Sequence, residues 1–199
     1  MSLLVKICGL RKAEDVKAAV SAGADAVGFV FAESVRRVTP AEARKLTQYL
    51  PKRVRRVAVM RHPSQDEWQQ VLDTFSPHVL QTDIDDFESL DVPASVERWP
   101  VIREGYAGLD GKLPAVFLYE GRRSGAGQTV DWQRAAAIAK RGRMILAGGL
   151  GVDNIATAIR TVRPHGVDVS SGVESRPGRK DPGLIQLFIK TARAVEKQA

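Results

Sequence analysis

The sequence predicts an α/β protein that forms one (β/α)8 barrel of the TIM type, with the helix after strand five reduced or absent. Three observations support this prediction. Short apolar segments alternate with segments of helical periodicity along the 199 residues. Several of the apolar segments are hydrophobic at every position, which is typical of parallel strands buried on both faces. The chain length lies near the lower limit for eight strand–helix units.

The first four units follow from apolar runs and from the residues that begin and end helices. Gly23 ends the first helix, whereas Thr39 and Pro40 begin the second as the cap and a first-turn residue. A short acidic connection after strand four leaves room for one brief helix near residues 85–90. The predicted strands are residues 3–8, 26–31, 57–60 and 78–81, and the predicted helices are 11–22, 41–50 and 64–75.

The second half of the chain continues the alternation with one gap. The connection at residues 104–114 contains three glycines and no helical period, so we expect no proper helix there. The predicted strands are 100–103, 115–119, 144–147 and 166–169, and the predicted helices are 132–140, 153–163 and 184–195. An open doubly wound sheet is the alternative, but eight strands of similar length favour closure. Since no linker interrupts the pattern, we expect residues 1–199 to form one domain.

Composition narrows the classes of function. The formal net charge is +7, and the densest basic run, residues 52–56, lies between a helix and a strand. Such loops lie opposite the chemical face of a barrel. Because no zinc-ligand spacing, helix-turn-helix or aromatic RNA-binding motif accompanies this run, we expect no nucleic-acid partner. A single cysteine excludes an internal disulfide, and no apolar run is long enough to span a membrane. We therefore expect a cytoplasmic protein without a membrane partner.

Two titratable residues stand at strand ends, where parallel barrels place their chemistry. Cys8 ends strand one and Glu120 ends strand six, on opposite sides of the barrel mouth. A thiolate and a carboxyl in that arrangement would serve as a base and an acid. The thiolate would need a nearby Lys6 or a helix N-terminus to lower the thiol pKa. The alternatives are a small buried hydrophobe for Cys8 and a solvated loop carboxylate for Glu120.

Glycine-containing breaks follow the last two strands. Gly148 and Gly149 follow strand seven, and Ser171 and Gly172 follow strand eight. Barrels commonly bind a phosphate on bare backbone N–H groups at this place, so we expect a phosphorylated small molecule there; the alternative is that the glycines only form tight turns. Asp168 lies inside the otherwise apolar strand eight, where it would form a salt bridge or accept hydrogen bonds from substrate hydroxyls.

Several ordered motifs together give the chain a resemblance to a known family. They are residues 6–9, 23–31, 34–40, 125–127, 131–132, 146–150, 166–174, 177–178 and 180–181. On these motifs the chain resembles the phosphoribosylanthranilate isomerase family over nearly its whole length. The resemblance implies an isomerase of tryptophan biosynthesis that converts N-(5-phosphoribosyl)anthranilate by an Amadori rearrangement. It also implies that no cofactor and no metal is needed.

The resemblance also implies roles for individual residues. Cys8 would be the general base that takes the proton from C2 of the sugar, and Glu120 would be the general acid for the ring oxygen. Arg36 would hold the anthranilate carboxylate, and Asp168 would contact the substrate. The phosphate cradle would include Gly149, Ser171 and Gly172, beside Gly148.

Two departures from the family pattern concern the site. Glu120 stands where the family has an aspartate. Strand four ends in Gln81, Thr82 and Asp83, where the family usually has Gln-Leu-His-Gly. The carboxylate of Asp83 would repel an anionic substrate unless it pairs with Arg103 or turns away.

Two alternatives to this enzyme remain open on the sequence. One is a barrel that keeps the phosphate site and acts as a binding or assembly protein without catalysis. The other is a different phosphosugar isomerase on the same barrel. The sequence leaves the oligomeric state open between a monomer and a homodimer.

Overall fold

The computed structural model describes residues 2–122 and 129–196. Eight parallel strands follow one another around a closed barrel, and β1 pairs with β8 to close it. This arrangement confirms the predicted barrel and excludes the open sheet. The strands are β1 Leu4–Cys8, β2 Ala26–Val30, β3 Arg55–Val59, β4 Val79–Asp83, β5 Glu97–Arg103, β6 Val116–Glu120, β7 Arg143–Leu146 and β8 Gly166–Val169.

The connections differ in how much helix they contain. In the described part of the chain the α-helices are α1 Ala13–Ala22, α2 Pro40–Leu46, α3 Gln65–Phe75, α4 Trp132–Ala139, α5 Ile155–Val162 and α6 Pro182–Glu196. Only short 3-10 segments follow β4 and β5, at Ile84–Glu88 and Ala107–Asp110. The prediction of a reduced helix after strand five is therefore confirmed. None of the described helices is long and apolar enough to cross a membrane.

One element was not predicted. The segment after β8, expected to be a loop, contains a small antiparallel hairpin of β9 Glu174–Arg176 and β10 Arg179–Lys180. Pro177 and Gly178 form its turn, and Gly178 has a φ of 76°. Each strand is too short to show an alternating pattern, which is why the sequence did not indicate them.

Local signals position the helices as expected. Thr39 and Glu42 form a capping box at the start of α2, and Ser64 and Glu67 form one at the start of α3. In both boxes the hydroxyl accepts from the backbone N–H three residues later, while the glutamate accepts from the cap residue's N–H. Helix α1 ends at Gly23, whose φ is 98°. The roles of Thr39 and Gly23 were predicted, because such signals need only a few neighbouring residues, whereas the Ser64–Glu67 box was not named on the sequence.

The barrel interior is apolar at one end and polar at the other. The apolar layer consists of Ala26, Val57, Val79, Trp99, Val101, Leu118, Ile145 and Ala147. Side chains two residues apart share a face of a strand. The inner face of β5 therefore runs from Trp99 through Val101 to Arg103, and that of β1 runs from Leu4 through Lys6 to Cys8. The same period brings polar side chains of several strands together at the carboxyl end.

Candidate active site

A cavity of about 230 Å³ opens at the carboxyl ends of the strands. Seven of the eight residues predicted for the site line it: Cys8, Arg36, Glu120, Gly148, Gly149, Asp168 and Ser171. Gly172 does not line the cavity. Its α-carbon approaches the backbone of Leu150 and Gly151 instead, so it acts at the contact between two loops.

Cys8 lies beside a buried ion pair. The Lys6 ammonium donates to Asp168 Oδ2 at 2.8 Å, and the Lys6 side chain is fully buried. Burial raises the pKa of the Cys8 thiol, and the neighbouring Lys6 ammonium offsets only part of this effect. The sequence expected Lys6 to favour the thiolate. The structure adds that the Asp168 carboxylate pairs with Lys6 and itself contributes to raising the pKa of the thiol.

Asp168 has the first of the two roles that the sequence left open, a salt bridge, while one of its oxygens remains available for the second. Its Oδ2 forms the salt bridge with Lys6 of the neighbouring strand β1. Its Oδ1 is buried and has no hydrogen-bond partner within the described residues. Since a buried acceptor without a partner is costly, this oxygen is a place where a substrate donor would bind favourably.

Glu120 is held in the cavity wall by an ion-pair chain across three strands. Arg103 Nη1 contacts Glu120 Oε1, and Arg103 Nη2 donates to Asp83 Oδ1 at 2.6 Å. Asp83 therefore pairs with Arg103. This is one of the two arrangements that, on the sequence, would prevent Asp83 from repelling an anionic substrate. Asp83 Oδ2 also lies 3.2 Å from His62 Nε2.

Arg36 is fixed by a second buried charge network. Its Nε and Nη2 donate to the two carboxylate oxygens of Glu174 at 2.7 and 2.8 Å. Lys180 donates to the same carboxylate at 2.8 Å and to the backbone oxygen of Ser170 at 2.8 Å. Burial alone would raise the pKa of Glu174, but the hydrogen bonds from Arg36 and Lys180 outweigh it and lower the pKa to about 2. The hairpin after β8 thus supplies both the carboxylate that holds Arg36 and the lysine that holds this carboxylate.

The loops after β7 and β8 form a backbone surface at the cavity. Gly148 and Gly149 have φ values of 87° and 62°, a region that side chains disfavour. Asn154 holds this turn, since its Nδ2 donates to the Gly149 oxygen at 2.8 Å and its Oδ1 accepts from Gly151 N at 2.9 Å. Backbone N–H groups exposed by such a turn suit an anion.

Comparisons with known proteins show which family the chain belongs to. The family model of N-(5'-phosphoribosyl)anthranilate (PRA) isomerase matches residues 5–191. The chain belongs to the PRA isomerase family. A member from Listeria welshimeri is 38% identical, over 98% of this chain and 100% of its own.

Solved PRA isomerase structures have the same barrel. One, in complex with reduced 1-(o-carboxyphenylamino)-1-deoxyribulose 5-phosphate, is 31% identical with a TM-score of 0.81, covering 97% of this chain and 100% of its own. The monomers generated from the dimeric Thermotoga maritima enzyme are 31% identical with a TM-score of 0.80, at the same coverage.

Three residues of the site were missed or left without a role on the sequence. Glu174 and Lys180 lie inside PRA isomerase motifs, but nothing local showed that they would meet Arg36. His62 follows β3 and reaches Asp83 of the next strand, near the place where the family pattern has a histidine on strand four. The motif at residues 125–127 lies outside the described residues.

His62, Asp83 and Asp86 are the one group among the described residues with atoms placed closely enough to hold a metal ion. His62 already contacts Asp86 Oδ1 at 2.9 Å and Asp83 Oδ2 at 3.2 Å. Asp83 also pairs with Arg103, and Asp86 accepts from the Thr82 hydroxyl. These contacts satisfy the polar groups of the cluster without an ion, so it is better explained as a hydrogen-bonded support of the cavity wall.

Proposed function

We propose that the protein isomerises N-(5'-phosphoribosyl)anthranilate to 1-(o-carboxyphenylamino)-1-deoxyribulose 5-phosphate in tryptophan biosynthesis. The observation that supports this most is the placement of a thiol on β1 and a carboxyl on β6 in the wall of one cavity. Membership of the PRA isomerase family agrees with it.

In this proposal, the phosphate of the substrate binds at the backbone of Gly148, Gly149 and Ser171. Gly172 contributes indirectly, because it lets the loop after β8 lie against the loop after β7. Asp168 Oδ1 accepts a hydrogen bond from a sugar hydroxyl. The anthranilate carboxylate binds to Arg36 through its Nη1 side, because the Nε–Nη2 edge is held by Glu174.

The proposed reaction needs one acid and one base. Glu120 gives a proton to the furanose ring oxygen, the C1–O bond breaks, and the electron pair of the anilino nitrogen forms a C1=N bond. Cys8, in its thiolate form, then takes the proton from C2, the C–H electrons form a C1=C2 bond, and the C1=N π electrons return to nitrogen, which gives an enolamine. Its tautomerisation to the 2-ketone gives the product, and no cofactor takes part in these steps.

The assignment of Cys8 and Glu120 is tested by activity, followed as the loss of substrate fluorescence. Cys8→Ala is expected to abolish turnover, because no other thiol is present. Glu120→Gln is expected to lower kcat by about 10²–10⁴-fold, the usual contribution of a general acid. Glu120→Asp keeps the acid and is expected to retain activity.

The controls separate this function from the alternatives. Gln70→Ala, at an exposed position of α3, is expected to behave as wild type. Wild-type protein that binds the reduced product analogue but turns over no substrate would favour the non-catalytic binding protein. Turnover of a different phosphosugar alone would favour another isomerase, and wild-type activity of Glu120→Gln would remove Glu120 from the acid role.

We propose further that the enzyme works in the cytoplasm as a monomer or a homodimer, with no nucleic-acid partner. The dimeric form of the Thermotoga maritima relative and the monomers generated from it support both states. Sedimentation equilibrium across protein concentrations measures which state this chain adopts.

A further inference from the structure

We propose that Arg103 and Asp83 are positioning residues for Glu120: Arg103 holds the Glu120 carboxyl in the cavity wall, and Asp83 neutralises Arg103 when Glu120 is protonated. This inference rests on the proposed role of Glu120 as the general acid. It explains why a glutamate and an aspartate stand together at positions where the family pattern has an aspartate and a histidine.

The three side chains come from successive strands and share the inner face of the barrel. Arg103 of β5 is directly opposite Glu120 of β6 in the register, and Asp83 of β4 is opposite Val101 of β5. Arg103 contacts both carboxylates, at 2.6 Å in the case of Asp83 Oδ1. The exposed fractions of the side chains are 23% for Arg103 and 13% for each carboxylate, so water screens these contacts only in part.

Positioning matters because Glu120 is one methylene longer than the aspartate of the family pattern. The extra rotatable bond gives the carboxyl more positions, and a displacement of about 1 Å at a reacting group can cost on the order of a hundredfold in rate. A guanidinium presents two parallel N–H donors in a rigid plane, which restricts the position of a carboxylate better than a lysine does.

The charges of Arg103 and Asp83 decide how readily the Glu120 carboxylate is protonated, and only the protonated form can act as an acid. If Arg103 faced Glu120 alone, the cation would stabilise the carboxylate and oppose protonation. With Asp83 present, the Arg103 cation keeps an ion-pair partner when Glu120 is protonated, which lowers the cost of protonating Glu120. Asp83 therefore favours the protonated form that the reaction needs.

Besides Asp83 and Arg103, the titratable or charged side chains that line the cavity with Glu120 are Cys8, Glu33, Arg36, Arg61 and Asp168, the last paired with Lys6. His62 touches the outer oxygen of Asp83. The end of β7 presents Ala147, which carries no charge.

The test is the pH dependence of kcat in two variants that remove opposite charges. Asp83→Asn is expected to move the alkaline fall in kcat to lower pH, because the negative charge that offsets Arg103 and disfavours the Glu120 carboxylate is removed. Arg103→Gln is expected to move it to higher pH, because the carboxylate loses its cation. Shifts of about 1–3 pH units are expected for an opposite charge at this range.

Two further variants test the interpretation. Arg103→Lys keeps the positive charge and is expected to keep the wild-type pH profile, unlike Arg103→Gln. Its kcat is expected to be lower, since the rigid pair of guanidinium N–H donors is lost. Asp66→Asn removes a carboxylate at an exposed position of α3, away from the site, and is expected to leave the pH profile unchanged. Circular dichroism and the urea midpoint check that each variant is folded.

The titration of Glu120, followed by NMR with carboxyl-labelled glutamate, separates this inference from the proposed function. Opposite shifts of the Glu120 titration in a protein without isomerase activity would support the positioning and overturn the function. An active enzyme in which both variants shift the Glu120 titration in the same direction, or not at all, would overturn the positioning. If either variant is unfolded, the Glu120 titration of Arg103→Lys is compared with that of wild type. An equal titration together with an equal kcat would overturn the positioning role of Arg103 as well.

Discussion

At the residue scale, the Glu174 carboxylate pairs with two cations, the buried Lys180 and the partly buried Arg36. The carboxylate is 4% exposed and accepts hydrogen bonds from both Arg36 and Lys180. Without it, two positive charges would remain beside the cavity with no carboxylate of their own. Burial of an unpaired charge is among the costliest changes in a protein.

Glu174→Gln is therefore expected to lower the free energy of unfolding by about 3–5 kcal/mol at neutral pH. The pKa of Glu174 in the folded protein is about 2, below its ordinary value of 4.5. Its contribution to stability is present above pH 4.5 and is lost as the pH falls toward 2. Urea unfolding of both proteins across this range should show the difference between them shrinking with acid. A constant difference would contradict the assigned role, and Glu33→Gln, outside the network, serves as the control.

At the residue scale the sequence located single positions but left most of their partners open. Cys8 and Glu120 were identified because a strand end is recognisable from a run of neighbouring residues. The partnership of Glu174 with Arg36 spans 138 positions along the chain. No local pattern encodes a contact of that separation, so only the folded loops reveal it.

At the element scale, the loops after β7 and β8 lie against each other through two glycines. Gly151 and Gly172 form a bridge between them. A Cβ on Gly172 would stand 1.9 Å from the Leu150 carbonyl oxygen, whereas a Cβ on Gly151 would meet nothing nearer than 3.6 Å. The two positions therefore differ in how they tolerate a methyl group, although both are glycines in the same contact.

Gly172→Ala is expected to force the two loops apart and to raise KM by at least tenfold, because the phosphate site proposed above is formed by the backbone of both loops. Gly151→Ala is the matched control and is expected to keep KM within about twofold. Steady-state kinetics with the substrate, and titration with inorganic phosphate as a competitor, measure both variants. Equal KM values for the two variants would show that the close approach at Gly172 does not shape the site.

The elements themselves were largely predictable. The eight strands, the capped helices and the shortened connection after β5 follow from apolar runs, caps and glycines, which act over a few residues. The hairpin of β9 and β10 was missed, because five residues in two strands show no period. It is also the element that holds Glu174 and Lys180 against Arg36.

At the scale of the whole molecule, the barrel interior has an apolar layer toward one end of its axis and the candidate active site at the other. Trp99 is fully buried in the apolar layer of the interior, and the Arg55 guanidinium lies 5.8 Å from the centroid of its ring. Two residues further along each strand the same inner face becomes the wall of the cavity. That residues 1–199 form one domain stays a prediction.

Trp99→Ala is expected to lower the free energy of unfolding by about 3–5 kcal/mol, as is usual when a buried aromatic side chain is removed. The KM of the folded fraction is expected to stay unchanged, since the site lies at the other end of the barrel. Trp99→Phe keeps most of the volume and should lose less, and Val35→Ala, at an exposed position, is the control. A large change in KM for Trp99→Phe would contradict the separation.

The sequence by itself determined the order of strands and helices, the closed barrel, the family, and the residues that stand at the strand ends. These follow from periodicity, caps and motifs, which are properties of neighbouring residues. Only the tertiary structure decided that Asp83 pairs with Arg103, that Glu174 holds Arg36, and that Gly172 lies behind the cavity wall. Closing the barrel brings residues from different strands within hydrogen-bond distance, and electrostatic pairing at that distance depends on atomic positions that the sequence alone does not specify.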